Sequence, residues 1–169
     1  MRSVAPRRST GHHRDVRVAF GADDENETTA AVRDRLVKAG HDLVPVRADG
    51  WPAIGAGVGQ AVVDGSADLG VVLCWTGTGV SIAANKVPGV RAALAWEPWV
   101  AAGARRWNDA NVLALSLKRL APAVAVDVLD AFLAVDEPDA DERPTLDRLA
   151  GLDLPEGTGG PTASMPADR

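Results

Sequence analysis

One cysteine and no tyrosine occur among 169 residues. A lone thiol excludes an internal disulfide and a cysteine-rich zinc site. With no apolar signal-peptide core beside it, a reducing cytoplasm is the compartment expected. No apolar run reaches the ~18 residues that a membrane span needs. Basic residues are not in excess either. The formal net charge is −5, which argues against a sequence-independent grip on a nucleic-acid backbone. Aromatic residues make up only 4% of the chain, and no internal repeat is visible. What is present is the composition of a folded protein, 46% hydrophobic and 24% charged, in a length that suits one well-buried domain.

The two ends read differently from the middle. Residues 1–15, MRSVAPRRSTGHHRD, are basic and without apolar periodicity. They are expected to form a solvated, disordered leader rather than a nucleic-acid arm or a His12–His13 metal site. The segment 136–150 opens with the acidic, proline-bounded stretch DEPDADERP and reads as a connector followed by a short helix. Residues 151–169 are rich in Gly, Pro and small polar residues, a composition expected of a disordered tail.

Between the ends, over 16–135, strand and helix signals alternate. VRVAF (16–20), DLVPV (42–46), LGVVLC (69–74), VRAALA (90–95) and NVLALS (111–116) are the strand candidates. The proline in the second suggests a sheet edge. Helices are expected over 30–39, capped by Thr28 or Thr29, and over 52–64, 98–106 and 122–134. Five strands alternating with helices imply a three-layer, doubly wound α/β domain with a parallel sheet. In such folds ligands bind beyond the carboxyl ends of the strands, where the order reverses. With the order 2-1-3-4-5, that point lies between the first and third strands.

Chemistry gathers there. The first strand runs into Asp23, Asp24 and Glu25, and the third into Cys74-Trp75-Thr76-Gly77-Thr78-Gly79-Val80-Ser81. A glycine loop entering a helix leaves backbone N–H groups free and adds positive potential, which suits a phosphate or a developing oxyanion. A thiol at that spot is placed for a lowered pKa, although a lone cysteine is more often buried and structural. The two aspartates could equally cap a turn or the next helix. The loop is neither a P-loop nor GxGxxG. His41, after Gly40, reads as a turn residue. Residue chemistry alone yields an anion-friendly loop with a possible thiol base and names no substrate.

The run CWTGTGVSIAANKVPGVRAALAWEPW (74–99), together with WNDANVLALS (107–116), resembles the ribose-5-phosphate isomerase B and galactose-6-phosphate isomerase family. The likeness extends over about 16–134. It implies an aldose–ketose isomerase with a flavodoxin-like sheet that uses no metal and no cofactor, works through a cis-enediolate, and assembles as a homodimer or tetramer. It makes Cys74 the base and Thr76 the hydroxyl of ring opening and binding. It makes the backbone of Gly77, Thr78, Gly79, Val80 and Ser81 the anion hole, Asp23 a ligand of sugar hydroxyls, and Asn108 a substrate-binding amide. Lys118 stands where an arginine is usual, and Arg143 and Arg148 lie near expected phosphate-binding arginines. Two positions depart from the family pattern: Asp24 and Trp107 stand where it has histidines, so a carboxylate replaces a phosphate donor and an indole replaces a ring-opening acid–base.

Asn108 and Trp107 precede the fifth strand, at the amino edge of a parallel sheet and opposite Cys74. Substrate contact by Asn108 therefore requires a neighbouring subunit, and a two-fold dimer with shared sites is expected. Trp75 and Trp107 are candidates to line the pocket, where indoles stack on sugar C–H faces. Trp96 and Trp99 are expected in the core or a subunit interface. The leading expectation is a sugar-phosphate isomerase. The alternatives are a non-catalytic sugar- or anion-binding module on the same fold, or an isomerase or epimerase for a different or unphosphorylated sugar. Neither nucleic acid nor membrane is expected as a partner.

Overall fold

The computed structural model describes residues 16–153. The leader 1–15 and the tail from 154 onward lie outside the described residues. Five strands, β1 (Arg17–Ala22), β2 (Asp42–Pro45), β3 (Leu69–Cys74), β4 (Ala92–Leu94) and β5 (Val112–Ser116), form one sheet. Every pairing is parallel. The helices are α1 (Glu27–Lys38), α2 (Gly50–Val63), α3 (Thr78–Asn85), α4 (Pro98–Asn108), α5 (Pro122–Leu133) and α6 (Arg143–Gly151), the last preceded by a 3-10 turn at Ala140–Glu142. The fold is the expected doubly wound α/β domain.

The strand order is β2-β1-β3-β5-β4, which corrects the expected 2-1-3-4-5 at its far end. Burial explains the exchange. All five residues of β5 are buried, whereas β4 has three residues of intermediate exposure. A strand apolar on both faces belongs in the sheet interior, and a short, half-exposed one belongs at the edge. β2 holds the other edge, with Pro45 paired to Phe20, where a missing N–H is tolerated. The reversal between β1 and β3 is unaffected.

Two apolar layers flank the sheet. Val32 and Leu36 of α1, Ala101 and Ala104 of α4, and Val128, Leu129 and Phe132 of α5 cover one face. Val58 of α2 and Val80 and Ala84 of α3 cover the other. Helix α1 is capped by Asn26, whose side chain accepts from the N–H groups of Thr28 and Thr29, both at 3.0 Å. The expected cap, Thr28 or Thr29, is thus the capped partner. Thr28 instead donates its hydroxyl to Leu120 O, and Thr29 to Asp24 O. Arg105 is a buried clasp, donating to Ala110 O, Val135 O and Asp136 O while its guanidinium lies 5.4 Å over the Phe132 ring. Desolvation pulls its pKa down, and the charges of Asp109 and Asp136 oppose that shift. Residues 151–153 continue from α6, and the Asp153 carboxylate accepts the Gly89 N–H at 2.8 Å. His41 is buried between α1 and β2. No helix among the described residues is long and apolar enough to cross a membrane.

Candidate active site

The ends of β1, β3 and β5 lie side by side at the carboxyl edge of the sheet. The Asp23 N–H donates to Leu73 O at 2.9 Å, so the chain leaves β1 tied to β3. The carboxylates of Asp23 and Asp24 are exposed and take no part in capping α1.

Cys74 pairs in register with Ser116 and is 5% exposed. Its sulfur accepts the Gly77 N–H at 3.2 Å. The dipeptide Cys74-Trp75 is pinned from β5 and the turn after it. Leu117 N–H donates to Cys74 O, Lys118 N–H to Trp75 O, and the Ser116 hydroxyl to Trp75 O at 2.9 Å. The Lys118 ammonium sits 5.2 Å over the indole of Trp75, a contact worth roughly 0.5–1 kcal/mol at an exposed site.

Gly77 turns this strand into α3. Its φ is +77, and a Cβ there would stand 2.5 Å from Leu94 Cδ1 and 3.0 Å from the Leu115 carbonyl. Only glycine satisfies both the conformation and the space. The first hydrogen bond closing α3 runs from Ser81 N–H to Gly77 O at 3.2 Å. The N–H groups of Thr78, Gly79 and Val80 therefore precede the helical ladder and can face an anion. Those of Gly77 and Ser81, also expected in the anion hole, are already engaged. The Val80 side chain is fully buried, and the Ser81 hydroxyl points to Ala92 O at 3.4 Å. The hydroxyls of Thr76 and Thr78 lie 2.7 Å apart and are exposed.

The remaining candidates are elsewhere. Trp107 and Asn108 end α4, beyond the expected boundary at 106. Asn108 lines a cleft with Asn85, Arg91 and Leu149. Arg143 shares a second cleft with Arg91 and Asp109, and Arg91 pairs with Asp109 at 2.8 Å. Arg148, on the exposed face of α6, reaches only Thr145 among the described residues. Asn108 and Arg143 stand at the amino edge, a β5 length of about 13 Å from the level of Cys74. A single chain thus brings Asp23, Asp24, the 74–81 loop and Lys118 together, and leaves Trp107, Asn108, Arg143 and Arg148 apart from them.

The tryptophans also divide. Trp107 lies over Gly103 and meets Trp99 edge-on, ring centroids 5.3 Å apart. Trp96 and Trp99 are 46% and 68% exposed, so neither packs in the core, which was one of the two places expected for them. Two neighbours of the loop escaped sequence reasoning. Trp51 lies against Gly79, 2.9 Å from where its Cβ would be, and no sequence signal joins them. Ser116, the one polar residue in β5, carried a signal in that isolation.

The model for the family described as Ribose/Galactose Isomerase matches residues 18–149. Ribose-5-phosphate isomerase B of Mycobacterium tuberculosis is 35% identical over 125 residues, covering 70% of this chain and 77% of that one. Against a Bacillus subtilis relative, the match is 37% identical and spans 51% of this chain and 58% of that one. Among solved structures, ribose-5-phosphate isomerase B of Clostridium thermocellum superposes with a TM-score of 0.74 at 31% identity, covering 81% of this chain and 97% of that one. The Mycoplasma genitalium enzyme with bound ribulose-5-phosphate gives 0.73 at 28% identity, covering 81% and 95%. With most of its described length matched in sequence and superposed in space, the chain belongs to the ribose/galactose isomerase family, a family of aldose–ketose isomerases that act on sugar phosphates.

Proposed function

We propose that the protein interconverts the aldose and ketose forms of a pentose or hexose phosphate, with Cys74 as the base. In the open-chain aldose the thiolate removes the proton from C2, and the electron pair shifts toward the C1 carbonyl oxygen. The resulting cis-enediolate oxygen is met by the Thr78, Gly79 and Val80 N–H groups at the start of α3. The thiol then returns that proton to C1 as the O2 proton passes to O1, so the ketose forms and the thiolate is regenerated. Donors aimed at the oxygen that gains charge typically contribute more than the base itself. Thr76 assists ring opening, and Asp23 and Asp24 accept from sugar hydroxyls.

The observation that carries this reading is the sulfur of Cys74 accepting an N–H from the loop whose next three N–H groups are unbonded within the helix. A second copy of the chain completes the site. Asn108 and Trp107, with Arg143 and Arg148, come from the amino edge of that copy, and Lys118 adds a cation from the same edge as Cys74. The assembly is a homodimer, alone or within a tetramer, and its thiol chemistry suits a reducing cytoplasm.

Incubation with aldose phosphates in D2O is expected to place deuterium at C2 and to yield ketose. Cys74→Ala should lower the rate by about 10²–10⁴-fold in a protein that stays folded, its melting temperature lowered only by the small cavity left in the core. Full turnover in Cys74→Ala would reject the base assignment. Trp107, which lacks acid–base capacity, favours a second reading, a binding module. Sugar-dependent melting shifts without any exchange in the unmodified protein would select it.

A further inference from the structure

β5 is apolar until its last residue, Ser116, which is 7% exposed and pairs in register with Cys74. A hydroxyl at that depth needs partners, and both of its partners are backbone groups. The O–H donates to Trp75 O at 2.9 Å, and the oxygen accepts the Arg119 N–H at 3.1 Å. The Ser116 carbonyl closes the same turn by accepting the Leu120 N–H at 3.1 Å. Trp75 O takes a second N–H, from Lys118, at 3.0 Å. Among the described residues, Ser116 is the only side chain outside the loop that hydrogen-bonds residues 74–77.

The carbonyl it holds decides where the next amide points. The Trp75–Thr76 peptide is trans, so the Thr76 N–H is directed opposite to the Trp75 oxygen. That oxygen faces the turn after β5, and the N–H therefore faces the β1 side of β3. It donates to no described residue. One residue further on, Gly77 gives its N–H to the Cys74 sulfur. Rotation of this single peptide plane would turn the Thr76 N–H out of the crevice and displace Gly77 from the sulfur.

We propose that Ser116 is a positioning residue for the isomerisation, its hydroxyl locking the Trp75–Thr76 peptide so that the loop after Cys74 keeps its reactive geometry. The proposal rests on the isomerase reading for the reaction that this geometry serves. Ser116 itself touches no substrate. It acts through Trp75 O, and the Arg119 N–H holds the serine oxygen so that its proton is left to point at that carbonyl. Without the hydroxyl, Trp75 O keeps one donor and the Arg119 N–H loses its acceptor. Asp23 and Asp24 belong to the segment after β1 and stay where they are, so capture of the sugar is spared while the chemical step suffers.

The test compares Ser116→Ala, Ser116→Thr and Ser116→Val in the full-length protein. Threonine keeps the hydroxyl, and valine has the same shape without it. Ala and Val should lower kcat by about tenfold or more and change KM by less than about threefold, whereas Thr should keep most of the parent kcat. Amide exchange followed by NMR gives a second readout that needs no turnover. The N–H groups of Gly77 and Lys118 should exchange faster in Val than in Thr, with the amides of β1 and α1 unaltered. The Thr and Val proteins bracket any loss of stability, because they fill the same space. Parent kcat in Val, equal losses in Thr and Val, or a defect confined to KM would each overturn the proposal. A parent protein that never turns over, yet shows the hydroxyl-dependent exchange at Gly77 and Lys118, fails only the isomerase reading. One that turns over equally well as parent and as Val fails only this one.

Discussion

Gly77 and Cys74 work as one unit. The left-handed backbone at Gly77 aims its N–H at the sulfur three residues earlier and starts the helix whose free N–H groups follow. Gly77→Ala forces a Cβ into Leu94 and the Leu115 carbonyl. Overpacking and a strained φ together should destabilise the fold by about 2–4 kcal/mol, read as a lower midpoint in urea. The same variant should lose activity under conditions where it is still folded, because the hydrogen bond to sulfur is displaced. A different residue contributes to the acid limb of stability. The Asp68 carboxylate is held below its usual pKa by the Arg17 guanidinium at 2.7 Å, and further by the Arg17 backbone N–H at 2.8 Å. A carboxyl whose pKa is depressed on folding contributes fully above the unfolded value of about 3.9 and loses that contribution as pH falls through the folded value. Asp68→Asn should therefore flatten the decline of stability below about pH 4, measured by urea unfolding across acid pH, and a slope equal to the parent's would refute the assignment.

At the scale of elements, the site depends on how closely α2 approaches α3. Gly55 makes that approach possible. A Cβ there would lie 2.7 Å from the Val80 carbonyl oxygen and 2.8 Å from Ala83 Cβ. Gly55→Ala should push α3 outward at a cost of about 1–3 kcal/mol and lower kcat more than it raises KM, since the shifted turn carries the N–H groups that meet the enediolate. Steady-state kinetics beside a melting curve would check it, and parent kinetics in a destabilised variant would separate packing from function. Gly55, Gly57 and Gly59 lie inside α2, where glycine is intrinsically unfavourable. Their purpose is visible only once a second helix lies against them. Helix and strand identities were otherwise legible, because VRVAF, LGVVLC and NVLALS are apolar on both faces and the helices between them keep one apolar stripe. The cap at Asn26 was missed although asparagine caps better than threonine, because the apolar stripe suggests a start at 30 whereas α1 begins at Glu27.

For the molecule as a whole, the sheet separates the candidate residues into a carboxyl-edge set and an amino-edge set. A shared site in a dimer makes a specific kinetic prediction. Cys74→Ala and Asn108→Ala proteins should each be inactive, and mixing them under subunit exchange should regain about a quarter of the parent activity, since half the dimers are mixed and each holds one intact site. No recovery, with exchange verified by mass, would contradict the shared site.

The alternation of apolar runs and amphipathic stretches was enough by itself to specify a doubly wound parallel sheet, because the side-chain period and short connections leave few other ways to bury those faces. It also brought Cys74, the glycine loop and Asp23 to one edge, since each follows its own strand directly. Tertiary structure decided the rest. It set β5 inside β4 and let α2 approach α3 closely at Gly55. These outcomes depend on contacts between segments far apart in the chain, where burial and close approach between elements select among arrangements that local propensity leaves equal.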